Sequence, residues 1–176
     1  EINQINEAWL GKLTNQIDEA IMNVAQKKGI DEYRHLMQSV FSEVNRVLKD
    51  NGSLSLVFHS AKAEIWQALI DSYQRSNFTV VTSSILDKIQ SSFKQVISNV
   101  KVQGDPLLLL SKSENVSQKK SVIKKDYDST LIKKIISNAF IVSNNPDEQK
   151  PERLFSRYIN ACLELGKPVL FDAGEF

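Results

Sequence analysis

One cysteine, Cys162, stands among 176 residues. That excludes an internal disulfide framework and any cysteine-rich zinc site. The two histidines, His35 and His59, fall on different predicted elements with no carboxylate at ligand spacing, which argues against a metal centre of any kind. None of the six glycines forms a G-x-G, so no glycine-rich loop offers bare backbone to a nucleotide-like cofactor. No apolar run approaches the ~20 residues of a membrane helix, and no signal peptide is visible; the expected compartment is the cytoplasm. A formal charge of +1 carries no global polyanion signal, so any nucleic-acid contact has to come from a local patch. The first residue is Glu1 rather than Met, which suggests a fragment of a longer gene product.

What is present is ordinary globular material, 41% hydrophobic and 24% charged, enough for one domain, or one domain and an appendage, with a sizeable core. Ile5, Trp9, Leu10, Leu13, Ile17 and Ile21 recur near 3.6 residues and predict a helix from Ile2 to about Gln26, interrupted at Gly11. Asp31 is the expected cap of a second helix, whose stripe is Met37, Val40, Phe41, Val44, Val47 and Leu48. Asn51 and Gly52 end it. The short apolar run Leu54, Leu56, Val57, Phe58 then reads as a strand with apolar residues on both faces, buried between two layers as in a parallel sheet. A helix from Ala61 to Ser76, capped by Ser60, and a strand over Phe78 to Ser83 complete a βαβ pattern of the doubly wound kind. Pro106 to Leu110 reads as a third strand, which could pair antiparallel with Phe78 onward at a sheet edge. Lysine-rich Ser111 to Lys125 reads as a linker. Two helices follow, Ser129 to about Phe140 and Pro151 to Leu165, the latter punctuated by Pro151 at its start and Gly166 past its end.

Glu43, Arg46, Val47, Leu48, Lys49, Gly52 and Leu54 resemble the E-x-x-R-V-L-K-x-x-G-x-L signature that leads into the fifth strand of class I S-adenosylmethionine-dependent methyltransferases. Phe58-His59 after that strand, Trp66 and Leu69 in the next helix, Asn77-Phe78, and Gly104-Asp105-Pro106 extend the likeness to the C-terminal half of bacterial DNA amino-methyltransferases. Trp9-Leu10-Gly11 is similar to the helix that follows the catalytic motif in a large subset of them. The resemblance covers about Trp9 to Lys112, and more loosely Arg153, Leu154, Ser156, Arg157, Tyr158 and Glu175-Phe176. It implies a partial Rossmann-like α/β sheet with flanking helices and a small C-terminal helical appendage. The expected division is 1–112 for the half-domain, 113–128 for the linker and 129–176 for the tail.

The chain departs from the family where the chemistry sits. The catalytic tetrapeptide, an Asp, Asn or Ser followed by Pro-Pro and an aromatic, is absent: Asn144-Asn145-Pro146-Asp147 and Asp105-Pro106-Leu107 both lack the second proline and the aromatic. That motif accepts hydrogen bonds from the base amino group and stacks on the flipped base. The cofactor loop is missing too. The resemblance therefore implies a fragment of a site-specific DNA methyltransferase, inactive by itself, with S-adenosylmethionine expected only in the full-length protein and DNA as that protein's substrate.

Base-pocket candidates are Phe58, His59 and Phe93. Phe93 either stacks on the flipped base or merely covers a sheet end, and His59 either lines the cleft at the carboxyl edge of its strand or is a surface residue. Lys94, Lys119, Lys120, Lys124 and Lys125 are candidates for DNA-backbone contacts, set against the plainer reading of a solvated linker. Because the strand that would carry the tetrapeptide is absent, Leu54 to Phe58 is expected to form an exposed edge open to self-association or to a missing N-terminal half. Two rival functions stand beside this one. One is a non-catalytic interaction module docking through 129–176, and the other is a small-molecule methyltransferase fragment.

Overall fold

A computed structural model of the chain describes residues 2–86, 104–113, 125–141 and 145–176, with the side chains of 2–4 and 125–128 excepted. The elements in order are α1 (Ile2–Leu10), α2 (Ile30–Val47), β1 (Ser53–Val57), α3 (Ala63–Arg75), β2 (Phe78–Leu86), β3 (Asp105–Lys112), α4 (Lys125–Ile141) and α5 (Pro151–Glu164). Short 3-10 turns at Val24–Gln26 and Pro146–Gln149 precede α2 and α5. This is the partial α/β methyltransferase arrangement that the resemblance implies, a small sheet with flanking helices.

The N-terminal helix is far shorter than its periodicity predicts. It stops at Leu10, and Gly11 follows in the left-handed region at φ +62, where an ordinary side chain would be strained. Trp9 and Leu13 are 86% and 92% exposed. An apolar stripe forms a stable helix chiefly by burying it, and among the described residues nothing buries this one.

The cap of α2 is Gly29, not Asp31. Gly29 adopts an extended conformation, and its N–H donates to the Glu32 carboxylate at 3.0 Å. Asp31 sits inside the first turn and pairs with Arg34, a favourable place for a carboxylate at the positive end of the helix dipole. Of the predicted stripe, Phe41 is buried and Met37, Val44 and Leu48 pack on the core, whereas Val40 and Val47 remain exposed. Phe41 meets Tyr73 and Phe78 edge-on, with ring centroids 6.2 Å apart in both cases. Small side chains let α3 approach α2 closely. Ser76 Oγ donates to the Gln38 carbonyl at 3.0 Å, and Ser72 Oγ lies 2.9 Å from that of Arg34.

The cap of α3 comes from far along the chain. Ser60 Oγ accepts the Lys62 N–H at 3.0 Å, just outside the helix, but the first helical N–H, on Ala63, is satisfied by Asp172 Oδ1 at 2.7 Å. Asp172 also pairs with Lys62 at 2.7 Å, and that hydrogen bond, followed by the one from Ala63, holds its carboxyl below the usual aspartate range. Asp172→Ala is expected to cost about 1 kcal/mol, the usual worth of a helix cap, read as a lowered urea midpoint with an unchanged slope.

The sheet differs from the doubly wound expectation in one respect. Its order is β1-β3-β2, and β3 runs antiparallel to both neighbours, so β1 and β2 are parallel to each other but not adjacent. The antiparallel pairing of Phe78 onward with Pro106 onward is as anticipated. A bulge at Val81 shifts the register between Val80 and Thr82. It places Ser83 and Ile85 opposite Leu108 and Pro106, on the face that carries Val80.

Burial between two layers is corrected. Leu54, Leu56, Phe58, Val80, Leu108 and Leu110 join one core cluster with Trp66, Leu69, Phe155, Tyr158 and Ile159, so α3 and α5 cover a single face. On the opposite face Val57 is 49% and Val81 58% exposed. The apolar run in β1 signalled burial, but pairing decides which residues of a period-two strand receive it. β1 is the sheet's edge, with no strand on its far side among the described residues.

Helix α4 begins at Lys125, within the stretch read as linker, and α5 starts and stops where Pro151 and Gly166 predict. The closing segment is part of the same core. The Leu170 N–H donates to the Tyr158 hydroxyl at 3.0 Å, and Phe176 packs on Phe155 and Tyr158 at 5.8 and 5.4 Å. Cys162 is fully buried on the apolar face of α5. No helix among the described residues is long and apolar enough to cross a membrane.

Candidate functional site

Because β1 and β2 are parallel, their carboxyl ends lie at the same edge of the sheet, where the antiparallel β3 begins. Val57 faces Leu107, Leu86 faces Asp105, and the Phe58 N–H donates to the Pro106 carbonyl at 3.2 Å. Open α/β sheets place their ligands outside this edge. Two polar groupings stand there.

The first is His59 with Asp105. His59 Nδ1 lies 2.8 Å from Asp105 Oδ1, the carboxylate side chain retaining 9% exposure and the imidazole 31%. The second is built on α5. Arg153 is buried and donates through Nε to Glu148 Oε1 at 2.9 Å, while Arg157 grips the same carboxylate with Nε and Nη2, both at 2.9 Å. Two planar guanidiniums on one carboxylate make strong charge-assisted bonds. The hydrogen bond from Arg157, then that from Arg153, holds the Glu148 carboxyl below the ordinary glutamate range, although partial burial works the other way.

Gly104 makes the two groupings neighbours. Its φ is +87, and a Cβ there would fall 2.5 Å from Ile85 Cγ2 and 2.9 Å from Arg153 Nη1. Only glycine lets the Arg153 guanidinium come this near the residue that precedes Asp105.

The depressed carboxyl of Glu148 has a consequence for stability. Its pairing contributes fully above the unfolded-state pKa and is lost as pH falls through the lower folded value. Acid unfolding curves measured from pH 6 downward should therefore steepen below the usual glutamate range. Glu148→Gln should flatten that part of the profile; an unchanged acid slope would show that the pairing does not couple to folding.

Of the sequence-derived site residues, Phe58 and His59 are the ones described at this edge. The Phe58 ring packs edge-on against Trp66 with centroids 5.0 Å apart, so it belongs to the core contact beneath the edge, whereas His59 is exposed above it. Phe93, Lys94, Lys119, Lys120 and Lys124 lie outside the described residues, and Lys125 is placed only as the first residue of α4. Lys112, at the opposite end of β3, pairs with Asp50 at 3.2 Å. Asp105, Glu148 and Arg153 were missed as partners. The Arg153/Arg157 spacing of four residues was the local signal for the second grouping, since it puts both cations on one helix face. Among the described residues no group of three or more His, Cys, Asp or Glu could hold a metal ion.

A protein-family model described as DNA methylase matches residues 14–170. The chain belongs to this DNA methylase family. Comparison with curated proteins and with solved structures finds no match. DNA methylases use S-adenosylmethionine, and a cradle for it needs open glycine backbone between a strand and the helix after it. Among the glycines that the fold crowds, Gly29 is closed by Glu32, Gly52 by Leu48 and Lys49, and Gly104 by Ile85 and Arg153. Gly11 and Gly166 have open space around them but follow helices, so no glycine among these five lies in a strand-to-helix turn.

Proposed function

We propose that this DNA methylase chain is a segment of a site-specific enzyme that moves a methyl group from S-adenosylmethionine to an exocyclic amino group of adenine or cytosine in DNA. Its contribution is the sheet portion from β1 to β3 and part of the wall of the base pocket. The cofactor loop and the Pro-Pro-aromatic tetrapeptide come from elsewhere in the full-length protein, which acts in the cytoplasm within a restriction-modification or phage-defence system. The family match across 14–170 carries this reading.

Three surfaces support the view that the segment is incomplete by itself. β1 has no strand on its far side among the described residues, Val57 and Val81 are exposed on the sheet face away from α3 and α5, and Trp9, Leu10, Leu13 and Ile17 are exposed in the N-terminal segment. Apolar surface and free strand edge of this kind mark an interface. The occupant at Leu54 to Phe58 is the other half of the domain, and without it a second copy of the chain. Phe93 stacks on the displaced base, and Lys94, Lys119, Lys120, Lys124 and Lys125 neutralise phosphates, each adding about one unit to the salt slope.

The test incubates unmethylated plasmid DNA with labelled S-adenosylmethionine and either this chain or the product of its complete gene, followed by digestion to nucleosides. The complete product should yield N6-methyladenine or N4-methylcytosine, and the 176-residue chain neither. Label that enters protein or small molecules but not DNA would sink the proposal.

A further inference from the structure

Asp105 opens β3 within the Gly104-Asp105-Pro106 run, and its carboxylate is buried against the exposed histidine at the sheet's carboxyl edge. We infer that Asp105 and His59 form a positioning pair that presents His59 Nε2 as a hydrogen-bond acceptor for the exocyclic amino group of a nucleobase. The inference rests on the base-pocket reading above and assigns that pocket a residue pair.

The tautomer of His59 decides what it can bind. An ionised carboxylate only accepts hydrogen bonds, so the hydrogen in the 2.8 Å contact sits on Nδ1. In a neutral imidazole with Nδ1 protonated, the lone pair is on Nε2. His59 makes no other hydrogen bond among the described residues, and its side chain keeps 31% exposure, so this acceptor faces outward. An outward acceptor selects an N–H donor. Phosphate oxygens and base carbonyls, which are acceptors, gain nothing from it. Exocyclic amino groups of adenine and cytosine offer that donor, whereas a purine lacking its amino group does not.

The backbone holds the pair in place. Phe58 N–H donates to the Pro106 carbonyl, fixing the residues before His59 and after Asp105 against each other, and Gly104 sets the approach to Asp105 with its positive φ. Asp105 acts through His59 and is thus a positioning residue.

The experiment uses the whole chain labelled with nitrogen-15. Long-range proton–nitrogen spectra of the imidazoles are assigned with a His35→Gln variant, because only two histidines exist. The probes are dAMP, dCMP and the deoxynucleotide of unsubstituted purine. The wild type should show the Nδ1–H tautomer, with the Nε2 signal moved by dAMP and dCMP but not by the purine control. His59→Phe should weaken dAMP binding by fivefold or more and leave the control unchanged. Asp105→Asn should mix the tautomers, an effect that lost packing does not produce, and weaken dAMP in parallel.

An Nε2–H tautomer in the wild type overturns the inference. So does dAMP binding indifferent to His59→Phe, which leaves the base-pocket reading standing. Absence of any nucleotide-dependent shift at Phe58 and His59 in the folded chain overturns both.

Discussion

Trp66→Ala is expected to destabilise the fold by about 3–5 kcal/mol, the usual range for emptying a buried aromatic site. Trp66 is 1% exposed, its indole N–H donates to the Ser60 carbonyl at 2.9 Å, and its ring meets Phe58 edge-on. Alanine removes the packing and leaves a buried carbonyl without its donor. Trp66→Phe keeps most of the apolar volume and should cost roughly 1–2 kcal/mol, largely the unmet hydrogen bond. Urea unfolding followed by circular dichroism separates the two. Fluorescence supplies a check, since Trp9, the other tryptophan, is exposed and should be all that the alanine variant reports. A loss below about 1 kcal/mol in Trp66→Ala would mean that the α3–sheet contact is not part of the core.

Gly104→Ala is the second large effect, at about 2–5 kcal/mol. Roughly 1–2 kcal/mol comes from placing an L-residue in left-handed backbone. About 1–3 kcal/mol more comes from forcing a methyl group into occupied space, here against Ile85 and Arg153. Gly166→Ala is the control, because its φ is similar at +61 but nothing lies within 4 Å of the added Cβ. It should show only the backbone part. Equal losses at the two positions would show that the crowding at Gly104 relaxes freely. Displacing Arg153 should also blunt the acid slope attributed to Glu148.

Much of the fold was legible because its signals are local. The 3.6-residue stripe of α2 around Phe41, the proline and glycine that bracket α5, and the short apolar runs of β1 to β3 each depend on residues close in sequence. The same locality explains the failures. Ile5 to Ile21 repeat like a helix, yet periodicity shows which face would be buried and not whether anything is there to bury it. Asp31 looked like a cap because its type suits one, but Glu32 reaching back to the Gly29 N–H starts the helix earlier.

At the site, sequence offered Phe58, His59 and Phe93 as separate aromatics and a histidine. The fold turns Phe58 into the core and gives His59 a partner 46 positions away.

By itself the sequence determined the helices and strands from α2 onward, and the signatures in it pointed to the methylase family, because propensity, periodicity and short motifs are written along the chain. Tertiary structure decided that β3 lies between β1 and β2, that α3 and α5 cover the face opposite the exposed Val57 and Val81, that Asp172 caps a helix 109 residues before it, and that Asp105 holds His59. Each of these depends on which surfaces meet across long loops. That choice is settled by burial and pairing of the whole chain, and no local run of residues encodes it.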